Sequence, residues 1–150
     1  MEIRPYTEND KDSVIDLFRA NTPDFFDLSE EKDLRDYLET EVADYFVVEE
    51  NDELIGAGGI NYFLQERTAR ISWDIVKPNS QGKGIGKKLT EHRINYLKNN
   101  NKVDLIVVRT SQHVFKFYEK MGFRLIKVEK DFWAKGFDLY LMELNNITNN

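Results

Sequence analysis

The 150-residue chain contains no cysteine. That absence excludes disulfides, thiolate metal ligands and a covalent cysteine intermediate. Long apolar runs are missing too, and none approaches the roughly 20 residues that span a bilayer. The opening MEIRPYTENDKD lacks the apolar core of a secretory leader. A cytoplasmic protein without membrane partners is therefore expected. Nor is there a surplus of positive charge: 21 basic and 27 acidic residues give a formal net charge of -6. Nucleic acid, which needs a basic face, is a disfavoured partner.

What the chain does have is enough apolar material to fold, 41% hydrophobic and 13% aromatic. Its length suits one domain better than two. No repeat or linker divides it, so a single domain over 1–150 is predicted, with a short polar tail, NNITNN, from about Asn145.

A first strand is read at Ile3 to Tyr6. Asn9 or Asp10 then caps a helix bearing Val14, Ile15, Leu17 and Phe18, which Pro23 ends. A second helix starts near Ser29, with Leu34, Tyr37 and Leu38 as its stripe. Tyr45–Glu49 and Leu54–Leu64 form a hairpin around Asn51-Asp52, and glycines 56, 58 and 59 signal a bulge or close packing. Thr68–Val76 is the next strand. A helix through Lys98 follows, with Ile85, Leu89, His92 and Tyr96 near one face, and then a core strand at Val103–Arg109. The segment Gln112–Met121 reads as a helix stopped by Gly122. Two strands, Phe123–Glu129 and Asp138–Leu144, close the chain. This order predicts a mixed α+β domain.

Between the strand ISWDIVKP and its helix stands QGKGIG, residues Gln81–Gly86. Its glycines place Gly84 and Gly86 in the first helical turn, at roughly 1 kcal/mol each relative to alanine. Such a cost is offset where a phosphate must approach the unpaired N–H groups of a helix N-terminus. Lys83, Lys87 and Lys88 gather here against the sign of the whole protein. The Walker A spacing fails, because the position five after Gly82 is Lys87; the dinucleotide fingerprint fails at Lys87 and Leu89.

The pattern Gln81-x-x-Gly84-x-Gly86 resembles the pyrophosphate loop of the GNAT family of N-acetyltransferases. Tyr118 four residues before Gly122-Phe123 resembles that family's second signature, and the element order is similar from about Ile3 to Leu144. The resemblance implies a three-layer fold with a splayed, mostly antiparallel mixed sheet. It implies acetyl-CoA as co-substrate, held by Gln81, Gly82, Lys83, Gly84, Ile85, Gly86 and Lys87. The pantetheine arm would lie along the backbone at Asp74, Ile75 and Val76, with one N–H stabilising the oxyanion. Where many relatives have asparagine, this chain has Ser111, which can still hydrogen-bond the cofactor.

Tyr118 is then the candidate acid for the departing thiolate, against an ordinary core aromatic beside Phe115 and Phe117. Strand alternation puts Arg70, Ser72 and Asp74 on one face and Ile71, Trp73 and Ile75 on a core face, so Asp74 is the candidate base, with a water chain as the alternative and Glu66 behind it. Phe25, Phe26 and Asp27 are candidate contacts to a cationic amine, by ring face and charge. His92 and His113 read as structural and no metal is expected. The activity implied is direct acetyl transfer to a primary amine of a small molecule or a protein, with a catalytically silent CoA-binding module as the alternative. The terminal strand and Trp133 are candidate contacts of a homodimer.

Overall fold

The computed structural model describes residues 1–145, so the expected polar tail lies, past Asn145, outside the described residues. Seven strands form one sheet: β1 (Glu2–Pro5), β2 (Asp44–Glu50), β3 (Glu53–Phe63), β4 (Thr68–Val76), β5 (Leu105–Thr110), β6 (Arg124–Ala134) and β7 (Phe137–Leu144). Their order is β1-β2-β3-β4-β5-β7-β6, and every neighbouring pair is antiparallel except β4 with β5. Four helices cover it: α1 (Lys11–Ala20), α2 (Glu31–Thr40), α3 (Ile85–Lys98) and α4 (Phe115–Lys120). The fold is the mixed three-layer arrangement expected. Among the described residues no helix is long and apolar enough to cross a membrane.

Each face of the sheet has its own core. Val14, Phe18, Leu34 and Tyr37 of α1 and α2 pack with Val47, Ala57 and Ile75 on one face. Ile85, Leu89 and Leu97 of α3 and Tyr118 of α4 pack with Ile60, Ile71 and Ile106 on the other. Asn51 and Asp52 carry φ of 53° and 63° and turn the β2–β3 hairpin.

Regular alternation fails in β4. Gly59 pairs with Ser72 and Ala57 with Ile75, so β4 holds one residue more than β3 between these pairs. Trp73 sits in the left-handed region at φ 49°, which costs a non-glycine residue about 1–2 kcal/mol. The Tyr45 hydroxyl donates to its carbonyl at 2.9 Å, and its ring stacks on Phe26 at 6.0 Å. The bulge corrects the expected faces: Ile71 belongs to the α3 core and Ile75 to the α1–α2 core, although the even spacing of four positions would put them on one face. Asp74 leaves the company of Arg70 and Ser72 and meets Arg93 of α3.

Arg93 is the largest fully buried side chain. The stripe expected on α3 placed His92 and Tyr96 inward; the deep positions are Ile85, Leu89, Arg93 and Leu97, and the two rings lie at the margin against Phe46. A guanidinium fits there because position 58 has no side chain. A Cβ on Gly58 would stand 2.4 Å from Asp74 Oδ1 and 2.8 Å from Arg93 Nη1. We predict that Gly58→Ala lowers unfolding stability by about 1–3 kcal/mol through overpacking of a pinned ion pair. Gly86→Ala, whose Cβ would make an ordinary 3.4 Å contact with Phe117, serves as the control and should be neutral or stabilising in the same denaturant titration.

Candidate active site

Parallel pairing of β4 with β5 runs from Thr68↔Leu105 to Ile71↔Val108 and stops. Beyond it β4 stays with β3 as far as Val76, while β5 follows β7 to Thr110. The two strands part, and a cleft of about 840 Å³ opens in the fork. The tip of the β6–β7 hairpin is fastened beside it: Trp133 Nε1 donates to the Thr110 carbonyl at 3.1 Å, and Gln112 Nε2 donates to that of Gly136 at 2.8 Å. His113 lies 3.2 Å from the same Gly136 oxygen, which gives this histidine a structural place.

At the far end of β4 the glycine loop enters α3. Gly82 and Gly84 have φ of +81° and +82°, and a Cβ on either would meet nothing within 4 Å. Glycine is needed here for backbone conformation and for open approach, not for crowding. Gly84 is the N-cap residue, outside the helix rather than in its first turn as expected. The first helical bond is Lys88 N–H to the Gly84 carbonyl at 3.0 Å. Among the described residues the N–H groups from Gly82 to Lys87 have no partner, which leaves an anion cradle at the positive end of a helix. Gln81 steadies the cradle: its Nε2 donates to the Val76 carbonyl and to Asn21 Oδ1, both at 3.1 Å. Asn21, which sequence reasoning missed, is 2% exposed and donates to the same Val76 oxygen at 3.1 Å.

The fork also holds a buried polar chain. Arg93 Nη2 donates to Asp74 Oδ2 at 2.8 Å, Nη1 donates to Asp74 Oδ1, and Nη1 reaches the Gly59 carbonyl at 3.1 Å. The Tyr118 hydroxyl donates to Asp74 Oδ2. Local backbone chemistry fixes the ring. Phe123 N–H bonds the Tyr118 carbonyl and Gly122 N–H that of Glu119, both at 3.0 Å. This is a Schellman cap, with Gly122 left-handed at φ 101°. The rings of Tyr118 and Phe123 meet at 5.6 Å, so the Tyr-x-x-x-Gly-Phe spacing is the spacing of a helix stop. Burial, and then the Asp74 charge, push the Tyr118 phenol well above its usual pKa. It stays protonated.

A family model for the Acetyltransferase (GNAT) family matches residues 11–123. The chain belongs to that family. Among solved structures, the GNAT fold here is similar to the ribosomal-protein-S18-alanine N-acetyltransferase of Escherichia coli, at 17% identity and TM-score 0.80, covering 99% of this chain and 95% of that one. An aminoglycoside 6'-N-acetyltransferase complexed with coenzyme A has 18% identity and TM-score 0.76, with 100% and 99% covered. A variant of spermidine N-acetyltransferase from Vibrio cholerae has 18% identity and TM-score 0.72, with 97% and 95% covered. Among curated proteins compared by sequence, none matches.

The residues expected at the site of this GNAT protein divide into three groups. Gln81, Gly82, Gly84, Gly86, Lys87, Ser111 and Val76 border the cleft, as do Tyr118, Asp74, Phe25 and Phe26. Ser111 is buried and its Oγ accepts the His113 N–H at 3.2 Å, leaving its own proton to donate. Lys83, Ile85 and Ile75 do not border it; the Ile75 side chain is packed in the α1–α2 core. Asp27 does not border it either, because it accepts the Ser29 N–H at 3.0 Å and caps the turn before α2. The carboxylates that do line this wall are Glu30, Asp33, Asp36 and Glu41. Glu30 is 7% exposed and accepts the Asp27 N–H at 2.8 Å; burial raises its pKa. Their helical spacing was visible in sequence, but which side of α2 met the cleft was not. Among the described residues no group of side chains is placed to hold a metal.

From the open cradle we predict that Gly84→Asp weakens acetyl-CoA binding at least tenfold, through like charge and a strained left-handed position, while the protein stays folded. Titration calorimetry showing unchanged affinity in a folded variant would remove the loop from the binding site.

Proposed function

We propose that this chain is an acetyl-CoA-dependent N-acetyltransferase that transfers acetyl directly to the primary amine of a small acceptor bearing positive charge. The observation that carries the reading is the Tyr118 hydroxyl at the fork of β4 and β5, held by Asp74 and kept protonated, on the same cleft as a cradle of unpaired N–H groups. The cradle from Gly82 to Lys87 would take the pyrophosphate, and the open β4 edge at Asp74–Val76 offers backbone to the pantetheine arm.

In the reaction the amine nitrogen bonds the thioester carbonyl carbon, and a β4 N–H stabilises the oxyanion. The C–S bond then breaks, and Tyr118 supplies a proton to the thiolate. Both oxygens of Asp74 are engaged, by Arg93 and Tyr118. We therefore assign Asp74 to holding the acid, and assign the ammonium proton to a water chain leading to the α2 carboxylates. The same carboxylates, with the Phe25, Phe26 and Trp73 rings, favour a cationic acceptor. By their names these neighbours act on an aminoglycoside, an alanine of ribosomal protein S18 and spermidine, a spread that agrees with an amine acceptor.

Tyr118→Phe should lower turnover on the order of 10²-fold and leave acetyl-CoA affinity unchanged, because the ring and its cap remain. CoA release across an amine panel, read beside calorimetry, tests this. Wild-type turnover in the variant would return Tyr118 to the core, and no amine-dependent release at all would favour a silent CoA-binding module.

A further inference from the structure

Arg70 and Arg109 both border the cleft, and neither has a carboxylate within ion-pair distance among the described residues. They are neighbours. Arg70 registers with Val107, and Arg109 lies two residues further along β5 on the same face. Ile71 and Val108 between them point into the opposite core, under α3. The Arg70 guanidinium lies 4.9 Å from the Phe63 ring centre, and that of Arg109 lies 5.3 Å from Phe132 and 5.2 Å from Trp133. Ring faces hold the guanidinium planes and leave their N–H edges for a ligand. Arg109 is half-buried; burial, and then the charge of Arg70, pull its pKa down. Two like charges held side by side in a cleft are stabilised by an anion between them.

The phosphates of CoA do not meet that need, since the cradle for them lies at the opposite end of β4. Arg70 and Arg109, on the strand face opposite Ile71 and Val108, line the same cleft as Glu30 and Asp33. We propose that Arg70 and Arg109 form an anion subsite for the carboxylate of the acceptor. The acceptor is then amino-acid-like, with its amine on the acidic side of the cleft and its carboxylate on the basic side. This rests on the transferase reading above and refines its substrate class from cationic amine to zwitterion.

The test uses amino acids and their decarboxylated counterparts: lysine with cadaverine, ornithine with putrescine, phenylalanine with phenethylamine. CoA release is measured for each, together with calorimetric binding to the protein loaded with CoA. Charge-assisted hydrogen bonds of this kind predict a preference of about 10- to 100-fold in kcat/KM for the carboxylate-bearing member of at least one pair. Arg70→Gln and Arg109→Gln should each raise its KM by about 10-fold or more, on the same basis. Both should leave the decarboxylated member and acetyl-CoA affinity unchanged. Equal or better use of the decarboxylated member throughout, or variants that weaken both members alike, would overturn the subsite. Carboxylate-dependent binding that the variants abolish, without CoA release, would keep the subsite and refute the transferase reading. Neither release nor carboxylate-dependent binding would refute both.

Discussion

A single ion pair, Arg93 with Asp74, joins the core of this protein to its chemistry. The guanidinium is fully buried and the carboxylate is 19% exposed, and a buried charge is tolerated only with a well-placed partner. Each surrounding irregularity serves that placement. The bulge at Trp73 turns Asp74 toward α3. Gly58 leaves the space the guanidinium fills, and the Gly59 carbonyl takes one of its remaining protons. Asp74 in turn receives the Tyr118 hydroxyl. Breaking such a pair by removing one partner costs about 3–5 kcal/mol, so the position of the Tyr118 hydroxyl and the stability of the sheet are coupled.

The cleft follows from a separate constraint. Parallel pairing between β4 and β5 ends at Ile71↔Val108, and backbone left unpaired within a sheet is a place for an added strand or a ligand. One end of the fork meets a helix N-terminus with open glycines. The other meets a wall of carboxylates on α2 and two arginines on the strands. The electrostatics are thus divided along the cleft. The open N–H groups, the α2 carboxylates and the strand arginines present different fields to one cleft, although the chain as a whole is acidic.

Much of this was legible in the sequence because the signals are local. The hairpin at Asn51-Asp52, the helix stop at Gly122 and the loop Gln81–Gly86 each carry their physics within a few residues, and the element order follows from them. What sequence did not yield depends on remote partners. Arg93 falls on the apolar spacing of Ile85, Leu89 and Leu97, yet reading an arginine as core requires knowing that Asp74 and Gly58 converge on it. Asp74 does border the cleft, as its strand position suggests, but the bulge at Trp73, which breaks the alternation with Arg70 and Ser72, and the engagement of Asp74 by Arg93 are not readable from the strand pattern. Asp27 reads as a substrate contact in sequence because charge alone does not separate a helix cap from a cleft wall. Asn21 gave no signal beyond an asparagine at a helix end.

The most direct measurement is the ionisation of Tyr118 itself. In protein carrying 13C-labelled tyrosine, its signal is the one of seven that disappears in Tyr118→Phe. If the phenol is buried and donates to a charged Asp74, that signal should keep its protonated shift through and beyond pH about 10, where ordinary tyrosines ionise. Ionisation of Tyr118 at or below that pH, in the folded protein, would contradict the account.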